Sequence, residues 1–279
     1  MLVSQMNRCL GIAGIFLAFR LLIAMVPPAP SDTHSLLIYA IYFVTIAVTM
    51  LLQLGLVVSL MGLKLPAGKS ALVSLASLCF FAGLVFLLIK VRITMPFVLA
   101  FIMAMRDMSL MIFAAALGCV ISFIIREPNI IIPVALFAGL VDYWGVTSGP
   151  LSVVIEKRPA ILDAVSVHMP VPIMNAPGTL IGLGDFVFLG IFFSILYRFA
   201  LNAKLSFWLG FAFLTVTMII VTAVDIAIPA LVPMGCAIII ANYRAIQLKR
   251  EEKLATLYVG VILLAALVIL KYQVFRSLF

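Results

Sequence analysis

Charge is what this chain has least of. Charged residues fill 10% of its 279 positions, against roughly 25% in ordinary globular proteins, and only ten of them are acids. Hydrophobic residues reach 66% and mean hydropathy is +1.34. A water-facing surface needs polar cover, so this chain must use lipid as its main solvent. That excludes a nucleic-acid-binding domain, a disulfide-stapled secreted module and a disordered tail. Histidine is nearly absent too. His34 and His168 are the only two, they are far apart, and no metal-ligand motif occurs, so neither a metal nor a cofactor is expected. Cys9, Cys79, Cys119 and Cys236 lie in or beside apolar runs with no shared spacing. They read as small buried hydrophobes, neither a disulfide set nor a metal site. The basic surplus, net +8, is spread along the chain and suits helix ends facing anionic headgroups or the cytoplasm.

What the chain has in abundance is apolar stretches near the length of a membrane span, about 20 residues. They are Cys9–Val26, Leu36–Leu63, Ala71–Leu88, Ile93–Ile125, Ile130–Thr147, Gly178–Phe199, Phe207–Val224, Pro229–Ile246 and Ala255–Leu270. The first follows Arg8, contains Arg20 and runs into Pro27, Pro28 and Pro30 without a small-residue cleavage pattern. This predicts a retained helix, not a signal peptide. The fold class is therefore an all-α, multi-pass integral membrane protein. Arg106 and Asp107 interrupt Ile93–Ile125: one long helix with an internal ion pair gives about nine spans, two short helices about ten. The Lys and Arg distribution leaves orientation open. The chain divides into N-terminal helices at 1–128, a half carrying the acids at 129–254, and an extra apolar segment at 255–279.

With so few acids, each can be placed. Asp32, Glu127, Glu156, Asp163, Glu251 and Glu252 fall in connections, Asp107 has Arg106 beside it, and Asp225 sits at a helix end before Pro229. Asp142 and Asp185 remain, each inside apolar sequence. A charge within a span costs about 2.5–3.5 kcal/mol on insertion scales, so such residues face a bundle interior or a watered cavity. Asp142 lies seven residues before Gly149 and Asp185 seven after Gly178, which at helical rise puts both roughly 10 Å below one membrane face. Two carboxyls a few ångströms apart in low dielectric cannot both ionise and so share one proton. One member can then deprotonate a water while the other polarises a carbonyl, which is hydrolysis by general acid–base catalysis. Gly139, Gly182 and Gly184 are small enough to let the acid-bearing helices approach closely. Pro229 and Pro233, four apart at a helix start, leave backbone carbonyls without helical partners, where an extended peptide could pair by strand addition.

Asp142 in an apolar helix, Gly182-Leu183-Gly184-Asp185 opening the next, and Pro229-Ala230-Leu231 after one further helix resemble the presenilin and signal peptide peptidase family, the GxGD intramembrane aspartyl proteases. Gly149-Pro150-Leu151 is similar to the presenilin Gly-Pro-Leu. The resemblance covers roughly Ile130 to Ile246, and the chain's shortness is similar to single-chain microbial homologues. It implies cleavage of transmembrane segments of other proteins, with Asp142 and Asp185 catalytic. Gly182 and Gly184 would support packing and active-site conformation, Leu183 would lie near substrate, and Pro229, Ala230 and Leu231 would shape the site and bind substrate backbone. It also implies a loop that orders on binding, with Leu151–Ile155 as a helix extension and Val165–Pro172 as a strand. The partners are then substrate transmembrane segments and the lipid bilayer; no nucleic acid and no obligate subunit is indicated. Val141 stands before Asp142 where presenilins usually carry an aromatic, no long self-processing insert is present, and Ala255–Leu270 extends past the usual end. Two other readings use the same acids: a cation- or proton-coupled transporter or channel, and a prepilin peptidase-like protease, which lacks a Pro-Ala-Leu element.

Overall fold

The computed structural model describes residues 2–26, 36–91, 94–148, 166–168, 180–224, 228–246, 250–254, 256–262 and 265. They form α1 (Leu2–Ala24), α2 (Leu36–Gly62), α3 (Ala67–Lys90), α4 (Pro96–Ser122), α5 (Ile131–Ser148), α6 (Leu183–Arg198), α7 (Ala203–Val224) and α8 (Leu231–Asn242). Residues 250–254 and 256–262 are helical as well. Five helices, α1 to α4 and α7, are long and apolar enough to cross a membrane, consistent with an all-α membrane protein. The apolar helices α5 and α8 are shorter. Gly149-Pro150-Leu151, the Leu151–Ile155 stretch and Asp225 lie outside the described residues, as does much of Ala255–Leu270.

Arg106 and Asp107 do not break their helix. Pro96 opens α4, where a missing N–H costs nothing, and the helix runs unbroken to Ser122. The charged pair is accommodated because Asp107 accepts on both oxygens, from Arg106 Nη2 at 2.8 Å within the same helix and from Arg20 Nη2 of α1 at 2.6 Å. Within the Ile93–Ile125 stretch, Pro96–Ser122 is thus one helix. A departure from expectation lies at Gly178–Phe199, expected to be helical throughout. Leu180–Gly182 instead forms strand β2, antiparallel to β1 (Ser166–His168), with Val167 opposite Ile181. Helix α6 begins only at Leu183. Part of the Val165–Pro172 expectation is therefore met, by three residues. The extended β2 replaces the first helical turn because Gly178 and Gly182 bracket a short β-prone run.

The helices fall into two compact units interleaved along the chain, whereas the division read from sequence is contiguous. The first comprises 1–124 and 163–197: α1 to α4, the two strands and nearly all of α6. Its hub is α4, which packs against α1, α2, α3 and β1. Where α4 meets α6 the backbones touch. A Cβ at Gly118 would stand 2.1 Å from the Val187 carbonyl oxygen, and one at Gly190 2.3 Å from that of Ala115. Small residues permit such an approach where lipid supplies no hydrophobic drive between helices. Polar side chains reinforce it: Ser122 Oγ donates to Ser194 Oγ at 2.9 Å, and Cys119 Sγ lies 3.2 Å from the same hydroxyl. All four cysteines are free, but only Cys119 is buried, while Cys79 and Cys236 are exposed. The expectation of four buried thiols is corrected for those two, since an apolar side chain needs no burial when its solvent is lipid.

The second unit comprises 125–162 and 198–279. Here α8 packs on α5 and α7. Buried Asn242 ties α8 to α7, donating to Ser206 Oγ at 2.9 Å and accepting from Asn202 N at 2.8 Å. Asn129 Nδ2 donates to Glu252 Oε2 at 3.1 Å, joining the start of α5 to the 250–254 segment.

Gly190→Ala must force α4 and α6 apart, because the colliding atoms are backbone and cannot rotate away. We expect a loss of about 1–3 kcal/mol or more, read as a lowered unfolding midpoint in detergent. Gly184→Ala, with nothing within 4 Å of its Cβ, should leave that midpoint nearly unchanged.

Candidate functional site

Asp142 is set by the periodicity of α5. Ile131, Ala135 and Ala138 form its buried stripe, spaced at helical intervals, and Asp142 comes one turn further along the same face. That face meets α8. Ala135 Cβ and Val232 Cγ2 lie 3.3 and 3.4 Å from where a Cβ would stand at Gly235 and Gly139 respectively, so the two backbones run close. Asp142 Oδ2 consequently accepts a hydrogen bond from the Leu231 backbone N–H at 3.0 Å.

That bond answers a need of α8. The first N–H groups of any helix lack intrahelical acceptors, and the residue in the capping position is Ala230, whose side chain makes no capping bond. Pro233 removes one orphan donor by having none, and Met234 N reaches Ala230 O at 3.3 Å. The Leu231 donor is served by Asp142. A carboxylate from one helix thus caps another, and it gathers Asp142, buried Pro229, Ala230 and buried Leu231 into one place. The helix start expected at Pro229–Pro233 falls at Leu231, with Pro233 in the first turn.

Asp185 is positioned differently. It is the third residue of α6, in its first turn, where N–H groups still lack intrahelical acceptors. Its carboxylate folds back towards β2, with Oδ2 3.8 Å from where a Cβ on Gly182 would stand. The depth match expected from seven helical residues after Gly178 does not apply, because the chain is extended from Leu180 to Gly182. Leu183 and Gly184 complete the turn. Neither Gly182 nor Gly184 has a positive φ, and the close helix contacts fall at Gly118, Gly190, Gly139 and Gly235. A Cβ on Gly184 would meet nothing within 4 Å and one on Gly182 only the Asp185 carboxylate. Asp142 belongs to the second compact unit and Asp185 to the first.

Two features escaped the sequence reading. Arg20, Asp107 and His168 converge with Arg106, although 87 residues separate Arg20 from Asp107. The one available signal was an arginine inside an apolar helix. Trp144, two residues past Asp142, buries its indole Nε1 with no hydrogen-bond partner among the described residues. Among those residues no group of three or more His, Cys, Asp or Glu side chains could hold a metal ion. No protein-family profile, no curated protein and no solved structure matches this chain.

The capping bond separates structure from chemistry at Asp142. Asp142→Asn keeps an oxygen acceptor for Leu231 N–H and should leave stability near wild type. Asp142→Ala removes the cap and should cost about 1–2 kcal/mol, with faster amide exchange at Leu231.

Proposed function

We propose that this protein is an intramembrane aspartyl protease of the presenilin and signal peptide peptidase type, a multi-pass membrane enzyme that hydrolyses peptide bonds within transmembrane segments of other proteins. The observation that carries the reading is the 3.0 Å bond from Leu231 N to Asp142 Oδ2. It unites the first acid with the Pro-Ala-Leu element across 89 residues of chain, two of the three motifs on which the resemblance rests. The third, Gly182-Leu183-Gly184-Asp185, supplies the other acid at the mouth of α6. The continuous α4 supports the nine-span count.

In this reading Asp142 and Asp185 share one proton and act on one water. The ionised carboxylate removes a proton from the water as its oxygen attacks the peptide carbonyl carbon, and the protonated carboxyl donates to the carbonyl oxygen. No metal and no covalent intermediate is needed. Leu183, Pro229, Ala230 and Leu231 line the substrate side, and the partner is a helix or extended segment presented from the bilayer.

A second reading has its own observation. Helix α2 buries Thr45, Thr49 and Gln53 on one face, and Gln53 Nε2 has no hydrogen-bond partner among the described residues. A polar stripe inside a span suits an ion or proton path.

Asp142→Asn and Asp185→Asn should each lower cleavage of a transmembrane reporter peptide by at least about a hundred-fold while the protein still folds. Robust cleavage by either purified single variant would dispose of the dyad. Leu231→Arg, bringing charge and bulk beside Asp142, should also cut turnover sharply. Ion flux into proteoliposomes that requires both aspartates, without proteolysis, would favour the transport reading.

A further inference from the structure

Asp107 is fully buried and lies between two arginines. Arg20, from α1, donates through Nη2 to Oδ2 at 2.6 Å, while Arg106 donates through Nη2 and Nε to Oδ1 at 2.8 and 3.1 Å. One carboxylate cannot neutralise two guanidinium groups. Arginine can only donate, so the remaining donors need neutral acceptors, and His168 at the end of β1 supplies two of them. Arg20 Nη1 donates to the His168 carbonyl oxygen and Arg106 Nη2 to His168 Nδ1. Nδ1 therefore carries no proton in this arrangement. It also lies 3.7 Å from Asp107 Oδ1, beyond hydrogen-bond reach, so the arginine contact decides its role. The His168 backbone N–H points at Asp107 Oδ2, 3.4 Å away. One residue of β1 thus contacts three buried charges on α1 and α4.

The strand so held is the partner of β2. His168 stands opposite Leu180 and Ser166 opposite Gly182, and β2 passes directly into α6, whose third residue is Asp185. We infer that Asp107, with Arg20 and Arg106, is a positioning residue: the cluster clamps β1, and through the β1–β2 ladder it fixes the entry of α6 and the placement of the Asp185 carboxylate. The catalytic half of this inference rests on the protease reading; the clamp itself does not.

The test uses the full chain in lipid nanodiscs with two readouts, amide exchange across 166–168 and 180–182 and steady-state cleavage of a transmembrane peptide. Asp107→Asn strands two buried arginines and should lower ladder protection by roughly a hundred-fold. Arg20→Lys keeps the charge but cannot bridge Asp107 and the His168 carbonyl at once, and should give a smaller loss in the same amides. In both variants kcat per folded enzyme, with the folded fraction measured on the same sample, should fall by about ten-fold or more with KM for the peptide unchanged; a loss confined to the folded fraction overturns the positioning role. If Asp107→Asn does not fold, Arg20→Lys and His168→Ala carry the test. Unchanged ladder protection in the folded variants overturns the clamp. An opened ladder with wild-type kcat overturns the positioning of Asp185. If the wild-type protein cleaves nothing, the protease reading and the Asp185 role fall together, and the exchange measurement alone decides the clamp.

Discussion

A helix that begins in an apolar medium must find acceptors for its first N–H groups, and α8 begins with residues that have none to offer. Ala230 has no polar side chain, and water is scarce at membrane depth. The Leu231 donor is served by a carboxylate from α5, and nearly everything distinctive about the second unit follows. The contact requires α5 and α8 to run close, which their glycines and alanines allow. It requires an acid on the buried stripe of α5, which would otherwise be an expensive place for one. It also gives that acid a fixed orientation, something a catalytic carboxylate needs and a merely tolerated one does not.

The first unit solves the same solvent problem with a different device. Its hub helix carries a fully buried Asp107, and isolated burial of such a charge is prohibitive. Two arginines and the polar atoms of His168 make it tolerable. Removing one partner from such a group costs about 3–5 kcal/mol, far more than an ordinary interhelical hydrogen bond, near 0.6 kcal/mol. A cluster of this kind is a poor source of net stability, because its desolvation cost is high, but it is specific. It accepts one arrangement of α1, α4 and β1 and penalises the others.

Much of this was legible in the chain, and the limits have physical causes. Span length and hydropathy located α1 to α5 and α7, because the 1.5 Å helical rise against a fixed bilayer thickness leaves little freedom. The acids stood out because they are rare. The unbroken course of α4 was left open, since a neutral pair and two separate charges look alike in sequence; what decides is Arg20, distant in the chain and adjacent in the fold. The start of α6 was misplaced because Leu180 and Ile181 suit strand and helix alike, and the β1 partner that selects the strand lies a dozen or more positions upstream. Gly118 and Gly190 were overlooked because glycine is common in membrane helices, and only the meeting of backbones distinguishes those that matter. Asp142 was singled out, but its hydrogen bond to Leu231 could not be anticipated, since nothing local links residue 142 to residue 231.

The two acids are held in chemically unequal ways, and that inequality bears on how a pair could work. Asp142 Oδ2 is committed to a backbone N–H, and an oxygen that accepts such a bond is not the one that carries a proton. Any proton on Asp142 therefore resides on Oδ1, so the direction in which it can be shared or donated is set by the fold of α8 and not by chance rotation of the carboxyl. Asp185 answers to a different element, the first turn of α6 after β2. A hydrolase built on these two groups would have one carboxyl oriented by a capped helix and the other by a strand-to-helix turn. Movement of either element would then alter the geometry of such a pair without changing a single reacting atom.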